Sequence, residues 1–215
     1  MGSMQKRSKR KKYFILLAGS PGTGKTYLMS KLRERFPTMY TITLDEIKEY
    51  YAESLGFTNL NERAEQEKNK VYPFFYRALE LYMEAGKKVI ASEYPFSDKQ
   101  KEKLQFLAKK YEYEVITIRL VADFEVLWAR RHQRDREPER HLSYIMDHYH
   151  YGDQLEDRSL GTNHITKEAF KKIINARQYD RFALGTLYEF DVTDFTKVDY
   201  TPLLDRLEWQ VAHDE

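Results

Sequence analysis

The segment Gly19-Ser20-Pro21-Gly22-Thr23-Gly24-Lys25-Thr26 constrains this chain more than any other. It joins the apolar run Tyr13–Ala18 to a stretch that carries Leu28, Met29 and Leu32 on one helical stripe. It therefore reads as a tight turn between a buried strand and a helix. A short apolar run of this kind suits a parallel strand covered on both faces. Gly19, Gly22 and Gly24 let successive backbone N–H groups turn toward one centre. The helix starting near Lys25 aims its positive end at the same point. The spacing G-x-x-x-x-G-K-[ST] arises by chance about once in 100 chains of this length at ordinary residue frequencies. The segment predicts a nucleoside triphosphate site, with Gly19, Gly22, Thr23 and Gly24 in the cradle. Lys25 reaches the β- and γ-phosphates, and the Thr26 hydroxyl completes a Mg²⁺ shell.

Further strands are expected at 39–44, 89–92, 115–120 and 187–192, and further helices at 61–85, 99–111, 123–134, 167–177 and 202–212. Strands that alternate with helices predict a parallel sheet with helices on both faces. No fixed period repeats and no Gly/Ser/Pro linker divides the chain. With 215 residues, the expectation is one α/β domain over 13–215, preceded by a basic tail over 1–12 and carrying a lid or substrate insertion over roughly 130–165.

Composition narrows the function. No cysteine is present, which excludes a disulfide scaffold, a thiolate zinc site and a thiol nucleophile. No apolar run approaches the roughly 20 residues of a membrane span, so a soluble, cytoplasmic protein without a membrane partner is expected. The net charge is +2, yet Lys6, Arg7, Lys9, Arg10, Lys11 and Lys12 sit in the first twelve residues without an acid. Removing those six leaves −4 for residues 13–215. Met1-Gly2-Ser3 ahead of Met4 reads as a vector remnant. The remaining basic run suits nucleic acid, anionic lipid or a plain solvated tail, whereas the acidic body argues against nucleic acid.

Several side chains are candidates for the chemistry. Asp45 follows the second expected strand and opens a helix, so it faces the ligand crevice or simply caps that helix. In the crevice it accepts a proton from a substrate hydroxyl or orients metal-bound water. Glu93 ends the third strand, near a metal or near substrate, or is an ordinary surface glutamate. Arg130 and Arg134 are four residues apart and share a helix face. There they clamp a phosphoryl group, or form a solvated basic helix end beside Asp135, Glu137 and Glu139. The stretch 141–151 holds three histidines and three tyrosines. It offers a wall for a polar acceptor, a metal site through His148 and His150, or ordinary packing.

These motifs together resemble the small P-loop kinases. The matching residues are Gly19–Thr26, Leu44-Asp45, Glu93-Tyr94-Pro95-Phe96, Trp128–Asp135 and Asp191-Val192-Thr193-Asp194-Phe195. The chain is most similar to the AAA-domain kinase-like group that includes chloramphenicol phosphotransferase and zeta toxin, with gluconate and shikimate kinases further off. The resemblance implies a three-layer P-loop NTPase fold with a five-stranded parallel sheet ordered 2-3-1-4-5 and an inserted lid. It implies ATP and Mg²⁺, and phosphoryl transfer to a hydroxyl. It implies a base at Asp45, arginines in a mobile lid at Arg130 and Arg134, and a metal held at Thr26 and Glu93. The nucleotide would contact Gly19, Gly22, Thr23, Gly24, Lys25, Thr26 and Tyr27, with Asp194 in the loop beside the adenine. Three functions stay open: a small-molecule kinase, a polynucleotide 5′-hydroxyl kinase, and an NTP-dependent regulatory ATPase without an acceptor. The acceptor and the oligomeric state are not legible.

Overall fold

Every side chain of β1 (Lys12–Ala18) after the first is buried, because the strand has a core on each side. In the computed structural model, which describes residues 10–213, Phe14, Leu16 and Ala18 enter one apolar cluster. Tyr13, Ile15 and Leu17 enter the other. That period of two is how a central strand serves both faces. β1 pairs in parallel with β3 (Val89–Glu93) and β4 (Tyr113–Val121). β2 (Tyr40–Thr41) and β5 (Thr186–Asp191) extend the sheet to the order β2-β3-β1-β4-β5. This is the three-layer P-loop NTPase fold.

On one face, α2 (Leu44–Leu55), α4 (Tyr72–Glu84) and α5 (Asp98–Lys110) supply Ile47, Phe75, Leu79 and Leu104 to the first cluster. On the other, α1 (Lys25–Arg35) and α8 (Thr201–His213) supply Leu28, Met29, Leu32, Leu203 and Leu207 to the second. α6 (Phe124–Arg134) and α7 (Lys167–Arg177) meet through Trp128 and Phe170, 6.2 Å between ring centres. No helix among the described residues is long and apolar enough to cross a membrane.

Two elements differ from the sequence expectation. The second strand is two residues long and the chain turns helical at Leu44. The cause is local. Thr43 accepts a hydrogen bond from the Glu46 N–H, a threonine N-cap that competes with the β-branched signal of Thr41-Ile42-Thr43. Asp45 therefore lies in the first turn of α2 rather than at a strand end. The helix expected over 61–85 is instead α3 (Leu60–Gln66), a π-helical turn over Glu67–Val71, and α4. Pro73 has no N–H to give the Asn69 carbonyl, and its ring crowds that turn, so an i→i+5 step replaces the α ladder there.

From Asp135 to Thr166 the chain holds only two short 3₁₀ turns, Leu142–Tyr144 and Arg158–Leu160. A connection this long needs its own support. Leu142, Ile145 and Tyr149 pack on Ala52 of α2 and on Phe57 in a small third core. Phe57 and Tyr149 also exchange backbone hydrogen bonds at 2.7 and 2.8 Å. Much of the 141–151 stretch is thus packing. Lys6, Arg7 and Lys9 of the basic run lie outside the described residues. Lys12 already belongs to β1, at the strand end opposite the phosphate loop, where its ammonium lies over the Tyr113 ring.

Candidate active site

The loop between β1 and α1 is shaped by its glycines. Gly19 has φ of +131°, and a Cβ there would sit 2.2 Å from the Leu120 carbonyl oxygen of β4. Only glycine fits such an approach. Thr23 closes the turn, its buried hydroxyl donating to the Ser20 carbonyl at 2.9 Å. Gly24 is the N-cap of α1, with no side-chain cap and no acid in the first turn. The N–H groups at that end are left for an external acceptor. By contrast α2 and α7 are capped by Thr43 and Thr166.

Lys25 lies across the loop and donates to the Gly19 and Ser20 carbonyls, both at 3.0 Å. Burial lowers its ammonium to about 8, against the pull of Glu93 and Asp45, while Arg134 pushes the same way as burial. Glu93, at the end of β3, takes a hydrogen bond from the Thr26 side chain. Burial raises its carboxyl against the opposing pull of Lys25. Its Oε2 is buried without a partner. An orphaned carboxylate oxygen beside a threonine hydroxyl fits a cation that takes its other ligands from phosphate and water, the usual habit of Mg²⁺. Among the described residues no group of three or more His, Asp or Glu could hold a metal by itself.

These groups open on a cavity of about 540 Å³ that also collects Asp45, Arg130, Arg134 and four further cations. Those four are Lys48, Arg63, Arg131 and Arg140, and each lies within ion-pair distance of a carboxylate. Lys48 and Arg63 share Glu67, each at 3.3 Å. Arg131 and Arg140 share the buried Asp135 at 3.3 and 3.0 Å. Lys25, Arg130 and Arg134 have no carboxylate within ion-pair distance among the described residues. The cavity cations without a carboxylate partner therefore lie around the phosphate loop.

The two lid candidates differ. Arg134 lines the cavity, and its buried Nε has no partner. Arg130 donates to the Val192 and Thr193 carbonyls at 2.9 and 3.0 Å and lies 3.7 Å over the Phe195 ring. It fastens the end of β5 beside the loop. Asp45 is exposed in the first turn of α2 and forms no ion pair among the described residues. One turn on, burial raises the Glu49 carboxyl, which accepts a hydrogen bond from Tyr144.

A neighbouring cavity of about 690 Å³ is lined by Gly24, Tyr27, Phe195, Val198 and Tyr200. Tyr27 therefore belongs to this side. The Asp194 carboxylate instead accepts hydrogen bonds from Thr196 N–H and hydroxyl at 3.1 and 2.7 Å, which holds the turn carrying Phe195. Of the expected histidines, His148 pairs with Asp147 at 2.7 Å.

The lowered Lys25 makes a pH prediction. A bound polyphosphate favours the charged ammonium, so binding raises its pKa and takes up a proton wherever the free amine is deprotonated. Around pH 8 binding should take up protons, and affinity should fall as pH rises from 8 to 9. Phosphate's own titration near pH 6 lies well below that window. Calorimetry in buffers of different ionisation heat measures the uptake. Its absence, or its persistence in Lys25→Met, would refute the assignment.

A family model described as AAA domain matches residues 14–150. No curated protein matches the sequence significantly. Among solved structures, a candidate kinase from Chloroflexus aurantiacus J-10-fl is similar at 22% identity and a TM-score of 0.71, over 93% of this chain and 98% of that one. A gluconokinase from Sinorhizobium meliloti 1021 shows 13% identity and a TM-score of 0.51, over 95% and 94%. A chain of the Pnkp1/Rnl/Hen1 RNA repair complex shows 13% identity and a TM-score of 0.54, over 85% of this chain and 50% of that one.

Proposed function

The chain belongs to the AAA domain family, and from that premise we propose that it is a phosphotransferase that moves the γ-phosphate of ATP to a hydroxyl of a small molecule. The observation that carries this reading is the charge balance of one cavity. An uncapped helix end and three cations without carboxylate partners surround the phosphate loop, and the unpaired Asp45 lines the same cavity. In this reading residues 13–215 form one kinase domain with its insertion over roughly 130–165.

The chain's own residues bind, orient and neutralise. The loop N–H groups and Lys25 hold the β- and γ-phosphates, and Arg134 faces the charge that spreads over the transferring group. Asp45 receives the proton of the acceptor hydroxyl as its oxygen bonds the γ-phosphorus, while the bond from that phosphorus to the β-phosphate oxygen breaks and ADP leaves. Thr26 and Glu93 would hold Mg²⁺, which neutralises phosphate oxygens when bound. Arg130 keeps Phe195 beside the loop, where the adenine side of the nucleotide would lie, with Tyr27 in the same cavity.

Two other readings share the fold: an end kinase for 5′-hydroxyl polynucleotides and a regulatory ATPase. Against the first stands the described part of the basic run, since Lys12 lies at the end of the central strand opposite the phosphate loop. ATP turnover measured with a panel of hydroxyl compounds, and then with 5′-hydroxyl oligonucleotides, separates all three. Stimulation by a small hydroxyl compound is expected. Stimulation by oligonucleotide alone would transfer the reading to nucleic acid, and tight ATP binding without acceptor-dependent turnover would leave a switch.

A further inference from the structure

Across Tyr94 and Pro95 from the catalytic cavity lies a second hollow of about 560 Å³. Those two residues line both spaces, so the hollow adjoins the cavity along one wall. It is separate from the cavity of Tyr27, Phe195 and Tyr200, with which it shares no lining residue. Its walls carry four phenol rings, Tyr72, Tyr76, Tyr94 and Tyr179.

The backbone explains how those rings come together. In the π-helical turn the Tyr72 N–H bonds the Glu67 carbonyl, five residues back, so residues 67 and 72 come onto one face. Tyr76 follows one α-turn later on the same face, and all three line the hollow. At the junction with the catalytic cavity, Lys48 donates to the Tyr94 hydroxyl at 3.1 Å, and the Tyr94 and Tyr72 hydroxyls meet at 3.3 Å. Two of the four rings are thereby fixed.

Charge adds the second half. Lys68, Lys99 and Arg177 also line the hollow, and none has an ion-pair partner among the described residues. Its single acid, Glu67, is already held by Lys48 and Arg63. A space of this size, with aromatic walls and surplus positive charge, suits a planar anionic group.

We propose that this hollow is the subsite for a ring of the acceptor: the molecule phosphorylated beside Asp45 carries an aromatic or heteroaromatic ring with a negative charge, held among the four tyrosines with its charge toward Lys68, Lys99 and Arg177. The inference rests on the phosphotransferase reading, which sets the acceptor hydroxyl at Asp45. It adds the class of acceptor.

Three probes that differ by one feature at a time test it: methyl β-glucoside, phenyl β-glucoside and 4-carboxyphenyl β-glucoside. Each is titrated calorimetrically into protein saturated with Mg²⁺ and the ATP analogue AMP-PNP. The phenyl probe should bind about tenfold tighter than the methyl probe, and the carboxyphenyl probe several-fold tighter again. Tyr76→Ala should cancel the gain from the ring and Lys99→Glu the gain from the charge. Both variants should keep the AMP-PNP affinity of the parent, and Tyr76→Leu replaces the alanine variant if that one fails to fold. Equal affinity for the methyl and phenyl probes, no binding of any probe, or a ring gain that survives in Tyr76→Ala and Tyr76→Leu would overturn the subsite. Failure of the underlying reading shows itself differently, as ATP turnover in the parent protein that no small hydroxyl compound stimulates.

Discussion

Lys25→Ala should lower kcat by about 10³-fold or more while leaving the folded protein intact. Removing a single preorganised donor from a developing anion costs about 10²–10³ in rate, and Lys25 also neutralises phosphate charge when the nucleotide binds. Structurally it holds little beyond its own loop, since its ammonium bonds only the Gly19 and Ser20 carbonyls. Burial already disfavours that ammonium in the free protein, so its removal relieves a cost as well as losing two hydrogen bonds. Melting should shift little, and a rate within a few-fold of the parent would remove the basis of the account. Lys25→Arg should not rescue, because a planar guanidinium cannot replace a compact ammonium set between two carbonyls of a tight loop.

Asp45→Asn should cost about 10²–10⁴ in kcat, the usual range for losing a general base, with ATP affinity retained. Asparagine keeps the size of the side chain and suits the start of a helix, and Asp45 is exposed without an ion pair among the described residues. Stability should therefore stay within about 0.5 kcal/mol. The competitor is Glu49, one turn along α2, whose half-buried carboxyl is raised and is hydrogen-bonded by Tyr144. Glu49→Gln should leave most of the rate. A larger loss in Glu49→Gln than in Asp45→Asn would move the base one turn along the helix.

What was legible in the sequence was local. The run Tyr13–Ala18, the loop and α1 follow from periodicity and glycine spacing, and α1 starts at Lys25 as expected. The second strand is shorter than its β-branched run suggests because Thr43 caps α2 inside that run, and Pro73 conceals a π-helical turn within one long apolar stripe. The site divides in the same way. Lys25, Thr26, Asp45, Glu93 and Arg134 all border the cavity, since each sits at the end of an element or on the helix that the alternating pattern locates. The sharing of Glu67 by Lys48 and Arg63 joins α2 to α3 and is a tertiary fact that no spacing announces. The pair Arg131 and Asp135 did carry an i,i+4 signal, but Arg140 joins it only through the fold of the insertion. Arg130 lay on the expected helix face, while its stacking on Phe195 depends on β5 arriving beside α6.

The most direct measurement follows the transferred phosphate itself. ATP labelled at the γ-position is incubated with the protein and the small-molecule fraction of a cell extract, in parallel with Lys25→Ala and Asp45→Asn. The account predicts label in an acid-stable small-molecule phosphate ester, formed by the parent protein and lost in both variants. Label recovered only as inorganic phosphate, or an ester formed equally well by Asp45→Asn, would contradict it.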